Sequence, residues 1–303
     1  MIKEKIKIAI IGTGNIGADL CARLLKNPQF EVVAFVGRRS DSPGLIKFRD
    51  HVKFIIPTGI AGLLEISSDF DGFFDATSAF EHARHWEVLK PLNKWAVDLT
   101  PSQVGLPMVP ELIGVSDKFR IQKDTFANYS MVTCGGQSSA PLVHAISKYS
   151  EQVLEIEVSS SIASKSAGPA TRLNIDQYIE STENLTRLIA NCEHVKAILV
   201  LNSAEPSVMM RTTVHAKILR YDLVAIKEEV KLIASKIKNY VPGYDVVVEP
   251  YISSLNTVSA TVKVTGAGHY LPSYAGNLDI INAAAVETAR RHAETIRGKP
   301  SEF

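Results

Sequence analysis

Apolar and polar positions change period along this chain, and the change falls near its middle. Residues 7–11 form a short apolar run, as in a strand buried on both faces, and a glycine-rich loop follows. Apolar positions at helical spacing run over residues 16–26 and stop at Asn27-Pro28, which closes a helix. Residues 30–36 predict a second buried strand, residues 73–78 a third that leaves a small polar tip, and residues 95–99 a fourth that ends in Thr100-Pro101. A helix is expected over residues 81–90. Beyond residue 134 alternation takes over. Residues 153–159 alternate as in a sheet with one wet face, and further strands are expected over 197–201, 209–219, 245–249 and 257–265. Helices are expected over 174–191, over 222–238 with an aspartate at its start, and over 277–297. The pattern predicts an α/β chain: a Rossmann dinucleotide-binding domain, then an α+β domain. The last helix is expected to return to the first domain. The expected division is therefore 1–133 plus 275–303, and 134–274.

The loop after the first strand reads Gly12-Thr13-Gly14-Asn15-Ile16-Gly17. Three glycines at this spacing say little alone. Between a strand and a helix, with a second strand following, they match a dinucleotide fingerprint. The first glycine makes the tight turn, the second lets backbone approach a pyrophosphate, and the third lets helix pack on strand. Ligands of such sheets lie at the carboxyl ends of strands, so Thr77, Ser78, Thr100 and Pro101 are candidates to line the cleft. For Ser78 and Thr100 the competing reading is ordinary loop chemistry.

An NAD site usually places an acidic residue at the end of the second strand, roughly 20 residues past the glycines. Here the chain reads Val36-Gly37-Arg38-Arg39-Ser40. Two guanidiniums and a hydroxyl suit a 2′-phosphate, and hence NADP. A solvated basic loop is the alternative, and Asp41 lies just beyond as an acidic partner for NAD.

Composition narrows the class. The chain has 303 residues, 46% hydrophobic and 21% charged, with a formal net charge of +1. Two cores are affordable at this length, and nothing in the charge favours nucleic acid or an anionic membrane. Three cysteines, Cys21, Cys134 and Cys192, without CxxC spacing argue against a disulfide framework or a metal site. The opening residues leave no room for a signal peptide, and no run reaches membrane-spanning length, so a cytoplasmic enzyme is expected.

The candidate chemistry sits in Met131-Val132-Thr133-Cys134-Gly135-Gly136-Gln137. A helical pattern becomes clear near Ser139, which puts the Cys134 thiol at the first turn of a helix, where free N–H groups favour a thiolate. A thiolate beside a nicotinamide points to aldehyde–acyl chemistry through a thioester. The N–H groups near Gly135 and Gly136, with the Gln137 amide, are candidates to hold an oxyanion. A buried structural cysteine is the competing reading.

These segments resemble the acetylating acetaldehyde dehydrogenases. The resemblance is carried by Ile10-Ile11-Gly12-Thr13-Gly14-Asn15-Ile16-Gly17, Phe74-Asp75-Ala76-Thr77-Ser78-Ala79, Asp98-Leu99-Thr100-Pro101 and Met131-Val132-Thr133-Cys134-Gly135-Gly136-Gln137. It continues through Ala163-Ser164-Lys165-Ser166-Ala167-Gly168-Pro169, Leu201-Asn202, Ala204-Glu205-Pro206, His269-Tyr270-Leu271-Pro272 and Tyr274-Ala275-Gly276-Asn277-Leu278-Asp279, in unbroken order. The resemblance implies a glyceraldehyde-phosphate-dehydrogenase-like fold and a homodimer. It implies oxidation of a short aldehyde with NAD and coenzyme A to an acyl-CoA, an oxidoreductase of class EC 1.2.1. The nucleophile then falls on Cys134. The nicotinamide-side loop falls on Ser166, Ala167, Gly168, Pro169 and onward to Asn174, and a further cofactor contact on Asn277. Such enzymes often work with a 4-hydroxy-2-oxoacid aldolase.

The chain departs from that pattern in four places. Arg38-Arg39 stands where the family usually has Ile-Asp, and Ala170 where it has glycine. Met209-Met210-Arg211-Thr212 replaces a Met-Met-Arg-Asp motif whose aspartate is a proposed general base, and a threonine is no base near neutral pH. The segment between Val246 and Val264 is shorter than in the family, which argues against the aldolase. His215 is a poor substitute base, because residues 212 and 215 of a strand face opposite ways. His269, in a matched block near Asn277, is the better candidate, with a structural histidine as the alternative. Two other functions stay open: an NADPH-dependent reductase of a carrier-bound acyl thioester, and a non-catalytic partner of an aldolase.

Overall fold

The computed structural model describes residues 4–115 and 118–298. The chain divides into two compact units. The described part of the first comprises residues 4–108, 113–115, 118–131 and 285–298, and the second residues 109–112 and 132–284.

In chain order the first unit holds β1 (Ile6–Ile11), α1 (Asn15–Leu24), β2 (Phe30–Val36), α2 (Pro43–Phe48), β3 (Phe54–Ile56), α3 (Ile60–Glu65), β4 (Gly72–Asp75), α4 (Ala79–Leu89), β5 (Trp95–Asp98), β6 (Leu106–Pro107) and β7 (Asn128–Ser130). Among the described residues these strands make one seven-stranded parallel sheet, ordered β3-β2-β1-β4-β5-β7-β6. Runs such as Ile8, Ala9, Ile10, Phe73 and Phe74 are fully buried because a parallel sheet is covered on both faces. The strand order reverses between β1 and β4, the switch point where such sheets bind ligands.

The third expected strand is therefore the fourth, and it stops at Asp75 rather than running to Ser78. The pattern missed β3, α2 and α3, which have only 3, 6 and 6 residues and are too short to display a period.

The second unit opens with α5 (Cys134–Lys148). Then come β8 (Ser150–Ala163), α6 (Pro169–Leu173), α7 (Ile175–Ala190), β9 (Val195–Asn202), β10 (Met210–Tyr221), α8 (Leu223–Ile237), β11 (Tyr244–Ser254) and β12 (Thr257–Val264). Its sheet runs β11-β12-β10-β8-β9, antiparallel except for β8 with β9. One face carries Ile156, Val158, Met210, Val214, Ala216 and Val262 into a core with Val143, Ile146, Ile226 and Ile233 of the helices. The alternation of β10 places Thr212 on that buried face and His215 on the other, bonded to Ser259 Oγ at 2.6 Å. The segment expected to be short is a hairpin closed by Leu255 and Asn256, the latter at φ +56°.

The last helix, α9 (Gly276–Ile296), is shared. Its residues to 284 belong to the second unit and those from 285 to the first, whereas the sequence pattern assigned it whole to the first.

Candidate active site

Helix α5 begins at Cys134 itself, five residues before the sequence pattern becomes clear. Gly135 and Gly136 hide the start, because glycine is a weak helix former. The cap compensates: Thr133 is extended, and its Oγ1 accepts the Gly136 N–H at 2.8 Å. Val132, just before, sits at φ +59°, a strained conformation for a β-branched residue and one that turns the chain sharply into the helix. Thr133 Oγ1 also meets Thr182 Oγ1 at 2.7 Å, and Thr182 donates to the Tyr178 carbonyl at 2.7 Å, which ties α7 to the start of α5.

Tyr178 is the neighbour that sequence reasoning missed. Its Oη lies 3.8 Å from Cys134 Sγ. A side chain at Gly135 would come within 2.1 Å of that oxygen, so this glycine lets the ring approach. Burial pushes the Cys134 thiol up to about 11, opposed by the Tyr178 hydroxyl and the peptide N–H groups of Gly135 and Cys134. Loss of solvent therefore works against the thiolate that the helix terminus favours. Of the expected oxyanion donors, the Gly136 N–H is committed to the Thr133 cap. Gln137 is buried near the start of α5.

Thr212 stands among hydroxyls. Its Oγ1 lies 2.7 Å from Ser138 Oγ and 3.0 Å from Ser160 Oγ, the residue opposite it in the β8–β10 register. His269 is half-buried on the loop after β12, just past Gly268 at φ +72°.

The candidate nicotinamide-side loop is built from within. Ser166 and Ala167 are buried, and Ser166 Oγ donates to the Ala163 carbonyl at 2.7 Å. Arg172 clamps the loop through the carbonyls of Ala167 and Ser164, at 3.1 and 3.0 Å. Gly168 and Pro169 lead into α6, and Asn174 precedes α7; the side chain of Ala170 lies outside the described residues. Asn277, in the first turn of α9, is 4% exposed, and its Oδ1 has no hydrogen-bond partner among the described residues. A buried orphan acceptor at the predicted contact fits a ligand amide.

The glycine loop of the first unit also fits its expected group. Gly12 adopts φ +104°, and a Cβ there would lie 2.6 Å from the Ala76 carbonyl. One on Gly17 would lie 1.8 Å from the Gly12 carbonyl, while one on Gly14 would meet nothing within 4 Å. The middle glycine thus faces open space at the start of α1, where the N–H groups of Asn15 and Ile16 favour an anion. Thr13 Oγ1 is bonded to Ser42 Oγ at 2.7 Å. Arg39 forks onto Asp41 at 2.8 and 2.6 Å, whereas the Arg38 side chain is 82% exposed, 3.9 Å from Glu81; Ser40 is exposed beside them. Ser78 Oγ caps α4, accepting from Glu81 N at 3.3 Å, and Thr100 Oγ1 is buried without a partner among the described residues.

A second cluster had no signal in the sequence. Asp75 Oδ2 lies 3.1 Å from His82 Nδ1 and 2.8 Å from His85 Nδ1, and its Oδ1 accepts from Thr77. His82 Nε2 faces Asn128 Nδ2 at 3.1 Å and Asp98 Oδ2 at 3.7 Å. Burial pulls the His82 imidazole down, but Asp98 and Asp75 overcome this and hold it above its usual value. Burial also pushes Asp98 up, to about 6, with His82 opposing. Among the described residues no group of three or more His, Cys, Asp or Glu could hold a metal, the cysteines are free, and no helix is long and apolar enough to cross a membrane.

Comparison with known proteins places the chain. A family model described as "Prokaryotic acetaldehyde dehydrogenase, dimerisation" matches residues 134–272. An acetaldehyde dehydrogenase of Pectobacterium atrosepticum is 42% identical, over 98% of this chain and 99% of its own. The chain belongs to the acetaldehyde dehydrogenase family. Its relative from Geobacillus stearothermophilus is 40% identical over 96% of this chain and 97% of its own. Two solved structures share the fold: an aspartate semialdehyde dehydrogenase II of Vibrio cholerae complexed with ASA and an aspartate semialdehyde dehydrogenase of Candida albicans with NADP. Each has a TM-score of 0.58 and covers 95% of this chain, at 14% and 13% identity, with 98% and 99% of their own chains covered. The expected α/β, Rossmann-containing fold is the fold found, and the chain is an oxidoreductase acting on aldehydes.

Proposed function

We propose that this acetaldehyde dehydrogenase relative interconverts a short aldehyde and its acyl-coenzyme A through a thioester on Cys134. The observation that carries the reading is Cys134 at the first position of α5, with Thr133 as cap and Gly135 admitting Tyr178. The Cys134 sulfur adds to the aldehyde carbon, the acyl group remains on Sγ, and coenzyme A removes it. A bound nicotinamide supplies the hydride acceptor. The residues that would hold it are Gly12 to Gly17, Ser78 and Thr100 in the first unit, and Ser166 to Asn174 with Asn277 in the second. His269 is the imidazole proposed to move protons at the substrate.

Arg38, Arg39 and Ser40 support NADP by charge, while the family resemblance supports NAD. Reductive use of a carrier-bound thioester and a non-catalytic role are not favoured by the relatives. The match to a dimerisation model and the exposed apolar Val200, Val247, Tyr251 and Ile252 on the second sheet support a homodimer. The tight β11–β12 turn argues against an aldolase partner. Charge balance and the cysteine pattern support a cytoplasmic enzyme with neither nucleic acid nor membrane as partner.

The test is an assay of acetaldehyde, coenzyme A and each nicotinamide, with acetyl-CoA read by mass spectrometry. Acetyl-CoA formation that disappears in Cys134→Ala is expected. Turnover that survives Cys134→Ala overturns the mechanism, and no product in either direction overturns the activity.

A further inference from the structure

Asp75 and Asp98 make the same turn at the ends of neighbouring strands of the first unit. Each accepts the N–H of the threonine two places on, Thr77 at 3.1 Å and Thr100 at 2.7 Å, which closes an Asx turn. The two aspartates stand opposite each other in the parallel β4–β5 register, and both are fully buried. Neighbouring strands lie about 5 Å apart, so two carboxylates there repel unless a cation answers them. His82, fully buried on α4, reaches both: Nδ1 lies 3.1 Å from Asp75 Oδ2, and Nε2 lies 3.7 Å from Asp98 Oδ2. Asn128 on β7 suits either form of the ring. Its Nδ2 faces His82 Nε2 at 3.1 Å, and its Oδ1 has no partner among the described residues, so turning the amide over offers an acceptor to a protonated Nε2. The turns held in this way belong to the dinucleotide site. A Cβ on Gly12 would lie 2.6 Å from the Ala76 carbonyl and 3.1 Å from Thr77 N, so the glycine loop rests on the Asp75 turn. The Asp98 turn takes the Thr100 N–H and leaves the buried Thr100 Oγ1 without a partner among the described residues, a group that a ligand can satisfy.

We propose that His82 is a positioning residue for the nicotinamide dinucleotide: as an imidazolium between Asp75 and Asp98 it locks two turns, one that supports the glycine loop and one that sets the Thr100 hydroxyl. The inference rests on the reading that the first unit binds that cofactor. The other groups facing the cluster are named by their distances. Ser102 Oγ donates to Asp98 Oδ2 at 2.5 Å. His85 Nδ1 shares Asp75 Oδ2 at 2.8 Å, and its Nε2 is 3.8 Å from Glu81 Oε2. Glu81 Oε1 is in turn 3.9 Å from both Arg38 and Arg84. His85 thus pairs with Asp75, while His82 spans both aspartates. Burial pushes Asp98 up to about 6, with His82 opposing, so the second carboxylate forms above that pH. Burial pulls His82 down, but the two aspartates hold it above its usual value, so the cation is still present when Asp98 ionises. As pH rises further the imidazolium is lost, the two carboxylates face each other unanswered, and the turns loosen. Cofactor affinity should therefore fall as pH rises through the His82 midpoint.

The test is a fluorescence titration of NADH against pH, in the full chain, in His82→Gln, in Asp98→Asn and in the double variant. In the parent, affinity should fall as pH rises. At neutral pH His82→Gln should bind about tenfold more weakly than the parent, because a cluster without its cation gives up charge-assisted hydrogen bonds. At alkaline pH the sign inverts for Asp98. The parent and His82→Gln should be weak alike, and Asp98→Asn should bind about tenfold tighter in either background, because one of the two opposed carboxylates is gone. A side chain that merely packs gives no such gain. The Asp98→Asn arm stands by itself should His82→Gln fold poorly. His82→Gln that matches the parent at neutral pH, or Asp98→Asn that is no tighter than the parent at alkaline pH, overturns the proposal. A parent that binds no NADH at any pH overturns the cofactor reading and this inference with it. A parent that binds NADH but makes no acetyl-CoA removes the proposed function alone, since binding is the readout here.

Discussion

Ser138 Oγ lies 2.7 Å from Thr212 Oγ1, at the position where the family resemblance implies an aspartate. Thr212→Asp would set a carboxylate between two hydroxyls, Ser138 and Ser160, that can both donate to it. That gives the site a proton acceptor threonine cannot supply. The kcat for coenzyme A-dependent acetaldehyde oxidation should rise by about 100-fold, at the low end of general-base effects. An unchanged kcat would show that Thr212 occupies the place without the duty.

The Asp75 cluster should matter for stability. Asp75 is fully buried and its carboxylate is shared by His82, His85 and Thr77. Asp75→Asn removes the charge opposite a buried imidazole and should cost about 3 kcal/mol, read as a lower urea midpoint for the first unit. The wild type carries the pH signature. His82 is held above its ordinary value of 6.5, so its stabilisation is complete below 6.5 and lost as pH rises through the raised value. Asp75 is held below its ordinary value of 3.8, so its contribution is present above 3.8 and lost on acidification. Asp75→Asn should flatten both limbs.

Two glycines of the cofactor loop should fail differently. A methyl on Gly17 would lie 1.8 Å from the Gly12 carbonyl, so Gly17→Ala should lower the melting temperature and abolish nicotinamide binding together. A methyl on Gly14 meets nothing within 4 Å. Gly14→Ala should leave the melting temperature within a degree or so and still weaken binding, because it fills the space a pyrophosphate needs. Thermal shift with and without nicotinamide separates the two.

Nicotinamide choice should turn on Arg38 and Arg39. Arg38 is exposed and Arg39 is spent on Asp41, a pairing that a 2′-phosphate would have to displace. Titration of NADPH and NADH against the Arg38→Ala, Arg39→Ala double variant is expected to weaken NADPH by about tenfold, the worth of a charge-assisted hydrogen bond, and to leave NADH unchanged. Equal losses, or none, would make the pair a solvated loop.

Much of this protein was legible in the chain before any tertiary structure. The buried strands, the glycine loop at the strand-to-helix turn, the change to alternating strands after residue 134, the aspartate capping α8 and the cysteine at a helix start are local facts. They depend on period, on backbone dihedrals and on hydrogen bonds to residues three or four places away, so they are written in consecutive residues. Short elements such as β3, α2 and α3 carry too few residues for a period and were invisible.

Tertiary structure decided what surrounds the thiol. Tyr178 reaches Cys134 across 44 positions and Thr212 reaches Ser138 across 74, pairings that no spacing announces. The same holds for His82 and Asn128, 46 positions apart, and for the capture of Gly136 N–H by a threonine that α7 in turn holds. The sign of the Cys134 shift was decided there too. A helix terminus is a local property and favours the thiolate; desolvation is a property of everything packed around the sulfur, and it opposes the thiolate.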